Sequence, residues 1–211
     1  YPVLELAGEM GSSKSTTQRR LRALIDPAQV PLRGAPKSVE DIHIAAANAQ
    51  VCSFENLSSL SAEMQDALCI LSTGGGYATR QLYTNGGEHV IQSKRPVVLN
   101  GINGVATAPD LIERVISVEL PTITAKNRQD EQSLEAAWQK GYPAIFTGML
   151  ALLSEALALL PTVQIPEGMQ KRMLDFQRLG EAVCIALGGK AGEFSQQLDR
   201  LHSDSLARGL E

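Results

Sequence analysis

The chain has 211 residues, of which 44% are hydrophobic and 20% charged, and its formal net charge is −4. This is the composition of an ordinary water-soluble globular protein, and the length allows one or two domains with a substantial core. The weakly acidic balance argues against a protein that coats nucleic acid with its whole surface, although a local basic groove remains compatible with it.

A strand, a loop and a helix follow one another at the start of the chain. The strand is predicted over residues 1–7 and the helix over residues 15–25, where Asp26-Pro27 ends it. The loop between them reads GEMGSSKST and is close to the phosphate-loop pattern G-x-x-x-x-G-K-[ST]. In that pattern, backbone N–H groups at a helix N-terminus converge on the phosphates of a nucleotide. The predicted nucleotide-binding residues are Gly8, Gly11, Ser12, Ser13, Lys14, Ser15 and Thr16.

Three residues of this loop raise separate chemical points. Lys14 would place a positive charge at the β- and γ-phosphates, and the Ser15 hydroxyl would be a ligand of Mg²⁺. Ser13 stands where the pattern has Gly, which normally lets the backbone approach the phosphate closely. The alternative interpretation is a serine-rich turn that caps a helix, because Ser and Thr are common N-cap residues.

The next part of the chain alternates between helical and strand patterns. Helices are predicted over residues 38–48, 61–71 and 110–114, and strands over residues 50–54, 95–99 and 115–120. Residues 77–91 predict a hairpin that turns at Asn85-Gly86-Gly87. Such alternation favours a parallel sheet with helices on both faces.

Beyond Pro121 the periodicity is purely helical, with helices predicted over residues 129–140, 144–160, 167–187 and 191–207. The predicted fold class is therefore α/β, with a parallel-sheet core that carries the candidate phosphate loop over residues 1–122 and an all-helical subdomain over residues 123–211. The apolar run over residues 144–160 is short for a bilayer and is expected to be a core helix.

Two further features bear on the setting of the chain. The three cysteines have no metal-ligand spacing, which suits small apolar packing residues in a reducing cytoplasm. The chain has no initiator Met and begins almost inside its first strand. We therefore expect a piece of a longer protein, with upstream residues that complete the nucleotide site.

Polar residues at the ends of later strands supply candidates for hydrolysis. Glu55 and Asn56 follow the second predicted strand, where Glu55 would hold Mg²⁺ through water and Asn56 orient the attacking water, or Glu55 would itself be the base. Asn100 could contact the γ-phosphate or the water, or form an Asn-Gly turn. Arg114 could pair locally with a neighbouring acid or neutralise phosphate charge in an adjacent subunit.

The predicted hairpin carries cations among aromatic side chains. Arg80, His89 and Lys94 lie on or beside it, together with Tyr77 and Tyr83. Aromatic rings that stack on bases and cations that neutralise phosphates make a track for single-stranded nucleic acid. A solvated hairpin with ordinary strand tyrosines is the alternative interpretation.

Taken in order, these stretches resemble AAA+ P-loop ATPases, in particular third-superfamily helicases and the ATPase modules that accompany primase domains in replication proteins of phages, plasmids and mobile elements. The resemblance lies in residues 8–16, 51–56, 71–83, 95–100 and 110–114. It implies ATP and Mg²⁺ as cofactors, Asn100 as γ-phosphate sensor, Arg114 acting on the adjacent subunit, and a hairpin that lines a DNA pore. It also implies a ring oligomer such as a hexamer, single-stranded DNA and a primase domain as partners, and a cytoplasmic protein without membrane contact.

The first functional hypothesis is an ATP-hydrolysing motor module of a DNA replication protein. The second is an ATP-binding assembly or regulatory domain with little hydrolysis, which the departures at Ser13 and Asn56 motivate. A small-molecule phosphotransferase is the third, and it would need an acceptor pocket.

Overall fold

The computed structural model describes residues 1–80 and 88–208, with the backbone alone at residues 77–80, 88, 89, 91 and 208. The chain divides into two compact units, which are described separately. The first contains residues 1–122 and the segment from Leu201 onward, and the second contains Ile123–Arg200.

The first unit is a mixed α/β structure. Its strands are β1 (Val3–Ala7), β2 (Cys52–Leu57), β3 (Gly75–Arg80), β4 (Glu88–Ser93), β5 (Val97–Gly101) and β6 (Val115–Glu119), and its helices are α1 (Lys14–Ile25), α2 (Val39–Ala47), α3 (Ala62–Thr73) and α4 (Pro109–Ile112). Four strands form a parallel sheet in the order β2-β5-β1-β6, as the alternating sequence pattern predicted. Strand β1, which leads into the candidate phosphate loop, therefore lies in the interior of the sheet.

Both faces of this sheet are covered. Successive side chains of each strand point to opposite faces, so each face has apolar side chains for the helices to pack against. On one face, the fully buried Val3, Val97 and Leu99 pack with apolar residues of α2, α3 and α4. On the other, Leu6 and Val98 pack with residues that include Leu21 of α1. The parallel arrangement brings the carboxyl ends of all four strands to one edge, where ligand sites of open α/β sheets form.

Strand β2 is longer than predicted. It continues through Glu55 and Asn56 to Leu57, with a register shift against β5 between Phe54 and Leu57. Asn56 has a φ of 57°, in the left-handed region that Asn tolerates better than most residues. The irregularity changes the direction in which the side chains at the end of the strand point, as bulges beside functional sites commonly do.

The hairpin prediction is confirmed for its strands. Strands β3 and β4 pair antiparallel, with Gly75 opposite Ser93 and Arg80 opposite Glu88. The predicted turn at Asn85-Gly86-Gly87 lies outside the described residues.

The second unit is helical. It contains α5 (Glu131–Leu159) and α6 (Leu174–Ala186), and α7 (Glu193–Arg208) begins in it. The predicted break at residues 141–143 is wrong, since α5 runs through Pro143 as one helix of 29 residues. Trp138, Tyr142 and Phe146 follow one another at four-residue spacing, with ring centroids 5.5 and 5.8 Å apart, and these contacts bridge the position of the proline.

The expectation of a core helix over residues 144–160 is also wrong. Ala156 is the one buried residue of α5 among those the structure describes, while Ile145, Leu150, Leu153 and Leu157 are between 41 and 51% exposed. The helical segment over residues 131–162 is long and apolar enough to cross a bilayer, by length and composition only, and 6% of its most apolar stretch of 18 residues is buried. Helices of water-soluble proteins and signal sequences pass the same test.

Candidate functional site

The loop between β1 and α1 has backbone conformations that few side chains allow. Gly8 has a φ of 146°, and a Cβ there would lie 2.5 Å from the carbonyl oxygen of Leu120. Ser13 has φ 59° and ψ 29°, which is the left-handed region that favours glycine. At the position where the phosphate-loop pattern has Gly, Ser13 thus adopts a backbone conformation that Gly reaches without steric cost.

The Lys14 ammonium is held inside the loop. Its Nζ donates hydrogen bonds to the carbonyl oxygens of Gly8 at 2.6 Å and Glu9 at 2.9 Å, and to Ser12 Oγ at 3.3 Å. Ser12, which is buried, also donates to the Glu9 carbonyl at 2.8 Å. Lys14 therefore stabilises the curved path of the loop and places a positive charge at its centre. An anionic ligand would compete with these loop oxygens for the ammonium.

Helix α1 presents unpaired amides next to this charge. The bond from Thr17 N–H to the Ser13 carbonyl, at 2.9 Å, is the first of the helix. The preceding N–H groups at Lys14, Ser15 and Thr16 have no intrahelical acceptor and carry the positive end of the helix dipole. They border a cavity of about 660 Å³. Its lining is made of Met10, Gly11, Ser13, Lys14, Ser15, Thr16, Asn56, Leu57, Ser58, Gly101, Ile102 and Asn103.

Asn56 reaches this cavity because its backbone is fixed by β5. The Asn56 N–H donates to Asn100 Oδ1 at 2.9 Å, and Asn100 Nδ2 donates to Gln18 Oε1. Gln18 Nε2 in turn donates to Ser53 Oγ at 2.8 Å and to the carbonyl oxygen of Val98 at 3.1 Å. One buried amide chain thus joins α1, β2 and β5 behind the cavity.

Asn100 itself is fully buried and does not line the cavity. Its side chain acts on Asn56 and Gln18 in this structure, and the γ-phosphate contact stays a prediction. Gln18 was missed by the sequence analysis, although its position four residues after Lys14 places both on one face of α1.

Glu55 is half-buried in β2 and is also absent from the lining of this cavity. No cluster of three or more His, Cys, Asp or Glu residues that could hold a metal occurs in the described part of the chain. A Mg²⁺ ion here would therefore depend on the Ser15 hydroxyl, on nucleotide phosphates and on Glu55 through water.

Arg114 lies at the amino end of β6, at the sheet edge opposite the loop, and is 4% exposed. It forms an ion pair of 2.8 Å with Asp110 and also donates to the Asp110 carbonyl. Burial and this pairing agree with the local-pairing alternative, so the action on a neighbouring subunit stays a prediction.

Of the proposed nucleic-acid residues, Lys94 is exposed, and its ammonium lies 5.4 Å from the ring centroid of Tyr1. The side chains of Arg80 and His89 lie outside the described residues. Arg95, next to Lys94, donates from Nε to the carbonyl oxygens of Ala46 and Ala49 at 3.2 and 2.9 Å, so it anchors the end of α2.

A second cavity of about 470 Å³ adjoins the first, because Ile102 and Asn103 line both. It extends over the ends of β1 and β6, past Gly8 and Glu5. Glu5 is a carboxylate buried in an apolar strand, 3% exposed, and the sequence analysis gave it no role. The sequence feature that could have identified it is an acidic residue within the otherwise apolar run VLELA.

None of the three cysteines lines either cavity. Cys52 and Cys69 are buried, and burial raises the pKa of each thiol to about 11. Both are therefore neutral packing residues at physiological pH, as the sequence predicted. Cys184 is half-buried in α6.

Comparison with known proteins adds a family. A family model described as actinomycete integrative conjugative element replication protein matches residues 1–204. No curated protein sequence matches the chain. A solved structure of JCV helicase bound to a substituted acetamide is 14% identical, with a TM-score of 0.42, over 96% of this chain and 56% of that chain. The chain thus spans about half of that helicase structure.

Proposed function

This chain belongs to the family of actinomycete integrative conjugative element replication proteins, and from that premise we propose that it is an ATP-binding and ATP-hydrolysing motor module of a DNA replication protein. The family supports a replication role in a mobile element. The nucleotide chemistry is our inference from the site.

One observation carries the proposal: a single cavity is lined both by the loop from Met10 to Thr16 and by Asn56 at the end of β2. Triphosphate oxygens in this cavity would meet the Lys14 ammonium and the first amides of α1. The Ser15 hydroxyl would be a ligand of Mg²⁺, and the metal would also be held by phosphate oxygens and, through water, by Glu55.

The buried amide chain gives Asn56 its role. Asn100 accepts a hydrogen bond from the Asn56 N–H, and Gln18 accepts one from the Asn100 side chain. The backbone position from which the Asn56 side chain starts is therefore fixed at the rim of the cavity. There it would orient a water molecule for attack on the γ-phosphate. In this proposal Gln18 and Asn100 are positioning residues, and Asn100 transmits the state of the site to β2.

The proposal is tested with the Lys14→Ala variant in a calorimetric titration with Mg-ATP and, separately, with tripolyphosphate. We expect both affinities to fall tenfold or more, because hydrogen bonds to charged groups contribute about 1.5–3 kcal/mol. Lys126→Ala is the matched control, since Lys126 is exposed and distant in sequence from the loop. Equal binding by Lys14→Ala and the parent chain would overturn the proposal.

The second candidate function is ATP binding with little hydrolysis, in an assembly or regulatory role. Two observations favour it: Asn56 replaces an acid at the rim, and Ser13 keeps a left-handed conformation that is strained by about 1–2 kcal/mol for a residue with a Cβ. Single-turnover hydrolysis, with and without single-stranded DNA, separates the two functions. Turnover that DNA stimulates rules out the second, and binding without turnover rules out the first.

As a motor, the protein would assemble into a ring such as a hexamer, act on single-stranded DNA in the cytoplasm and work with a primase domain. Arg114 would then have to leave Asp110 to reach a neighbouring subunit. Sedimentation with and without Mg-ATP tests the assembly, and a chain that stays monomeric under both conditions contradicts it.

A further inference from the structure

Glu5 is hydrogen-bonded to the loop that follows β5, and this loop lines both cavities. Its Oε1 accepts hydrogen bonds from the N–H groups of Val105 at 2.7 Å and Ala106 at 3.3 Å. Two amides share this one oxygen, and the carboxylate is 3% exposed. Burying a charged carboxylate is costly unless its acceptor sites find donors.

The other oxygen has no such donor. Among the described residues, Glu5 Oε2 makes no hydrogen bond, and Glu5 lines the cavity of about 470 Å³ that adjoins the phosphate loop at Gly8. A Cβ at Gly104 would lie 3.2 Å from Oε2. The absence of a side chain at Gly104 therefore leaves the space beside this oxygen open.

We propose that this cavity receives the base of the nucleotide and that Glu5 selects adenine by accepting a hydrogen bond from its exocyclic amine. The inference rests on the proposed function, since it takes the phosphates to lie on the loop between β1 and α1. Lys14 and the backbone amides would bind the phosphates, and the phosphates are the same in every nucleoside triphosphate. Glu5 is the buried acceptor that would contact the base.

The chemistry of the carboxylate favours adenine over guanine. Guanine presents two adjacent donors, at N1 and N2, which pair best with both oxygens of one carboxylate. Here Oε1 is already occupied by two amides, and one oxygen remains. The single amine of adenine matches it, and the cavity walls supply apolar contact from Ile102, Ile112 and Val115.

The experiment compares three probes on the full chain: Mg-ATP, the purine ribonucleoside triphosphate in which hydrogen replaces the amine, and tripolyphosphate. We expect ATP to bind on the order of tenfold more tightly than the analogue, because the analogue leaves a buried charged acceptor unpaired. Tripolyphosphate reports the phosphate loop alone.

The Glu5→Gln variant keeps an oxygen for Val105 and Ala106 and turns an amide N–H₂ toward the cavity. We expect the preference for ATP over the analogue to fall to about onefold, while tripolyphosphate affinity stays unchanged. Gly104→Ala is the second variant, since its methyl group would crowd Oε2 and lower the same preference without removing the carboxylate. Gly34→Ala, with open space around its Cβ position, is the matched control.

The outcomes separate the two proposals. Binding of tripolyphosphate with equal affinities for ATP and the analogue, or a preference that survives in both variants, overturns the role of Glu5 alone. Failure of tripolyphosphate and ATP to bind at all overturns the proposed function, and the inference falls with it.

Discussion

The two compact units of this chain differ in how much of their interior is apolar. Around the parallel sheet the interior is mainly apolar, with side chains such as Leu68 and Leu99 at 1% exposed, although it also contains buried polar side chains such as Asn100. In the helical unit the buried apolar cluster consists of Ala156, Val163 and Ala182, with partly buried neighbours. The largest fully buried side chains described in that unit are those of Gln177 and Glu181.

These polar side chains form one network. Glu181 Oε1 accepts from Ser195 N–H at 2.7 Å and from Ser195 Oγ at 2.6 Å, and Glu181 Oε2 accepts from Gly192 N–H at 3.0 Å. Gln177 Nε2 donates to Ser195 Oγ at 2.8 Å. An apolar interior loses stability in proportion to the volume removed, whereas a polar network depends on every partner being present. The sheet unit thus depends mainly on apolar packing, and the helical unit depends to a larger extent on one polar network.

The largest effect is expected for Leu68→Ala in α3. The substitution leaves a cavity in a close-packed apolar core, and we expect the free energy of unfolding to fall by about 2–5 kcal/mol. Chemical denaturation followed by circular dichroism measures it. Ile70→Ala is the control on the same helix, since Ile70 is 42% exposed, and a loss as large as that of Leu68→Ala would contradict the assignment of the core.

A smaller effect is expected for Glu181→Gln in α6. The amide can still accept from Ser195, but its N–H₂ group would face the N–H of Gly192 and leave that donor unpaired, at a cost of about 1–3 kcal/mol. Hydrogen exchange over residues 169–199 localises the change to the helical unit. Glu155→Gln, on an exposed position of α5, should leave exchange unaltered. Exchange as slow in Glu181→Gln as in the parent chain would break the distinction between the two interiors.

A pH dependence is expected in the sheet unit from His43, which is 1% exposed in α2. Burial lowers the pKa of His43 from the ordinary 6.5, so the imidazole binds a proton less readily in the folded chain than in the unfolded chain. The unfolded state binds more protons below pH 6.5, and the free energy of unfolding should therefore decline as the pH falls through that value. Denaturation midpoints between pH 7.5 and about 5 test this, and His43→Gln should flatten the slope. An unchanged slope in the variant would assign the dependence to other groups.

The smallest effect is expected at the exposed apolar face of α5. Leu157→Gln changes a residue that is 51% exposed, and we expect the free energy of unfolding to stay within about 0.5 kcal/mol of the parent value. Its neighbour Ala156, with no exposed surface, is the matched position, and Ala156→Gln should destabilise the helical unit clearly. Thermal melts of the parent chain and the two variants measure the difference, and a loss at Leu157→Gln as large as that at Ala156→Gln would show that this face is buried.

Part of the candidate site was readable from local pattern. The loop from Gly8 to Thr16 was placed between a strand and a helix, and the structure has β1 and α1 at those positions. Asn56 was named as a residue of the strand end, and it lines the cavity of the loop. These positions could be predicted because a loop motif and its flanking elements depend on neighbours within a few residues.

Other features depended on partners that no local pattern reveals. The predicted helix over residues 167–187 begins only at Leu174, because the Gln177 side chain bonds the backbone of Met169 and Lys171 and satisfies it without a helix. Pro143 was expected to end a helix, and aromatic contacts across it accompany one continuous α5. In both cases side-chain contacts outweigh backbone propensity.

The sequence by itself determined the order of strands and helices through residue 120 and the position of the loop between β1 and α1, since both follow from periodicity and short spacing. Only the tertiary structure decided that Asn100 is joined to Gln18 across 82 residues and that Glu5 is joined to Val105 across 100 residues. Such pairs form because a parallel sheet brings distant strand ends to one edge, where a buried polar atom must find a donor or acceptor wherever the fold supplies one.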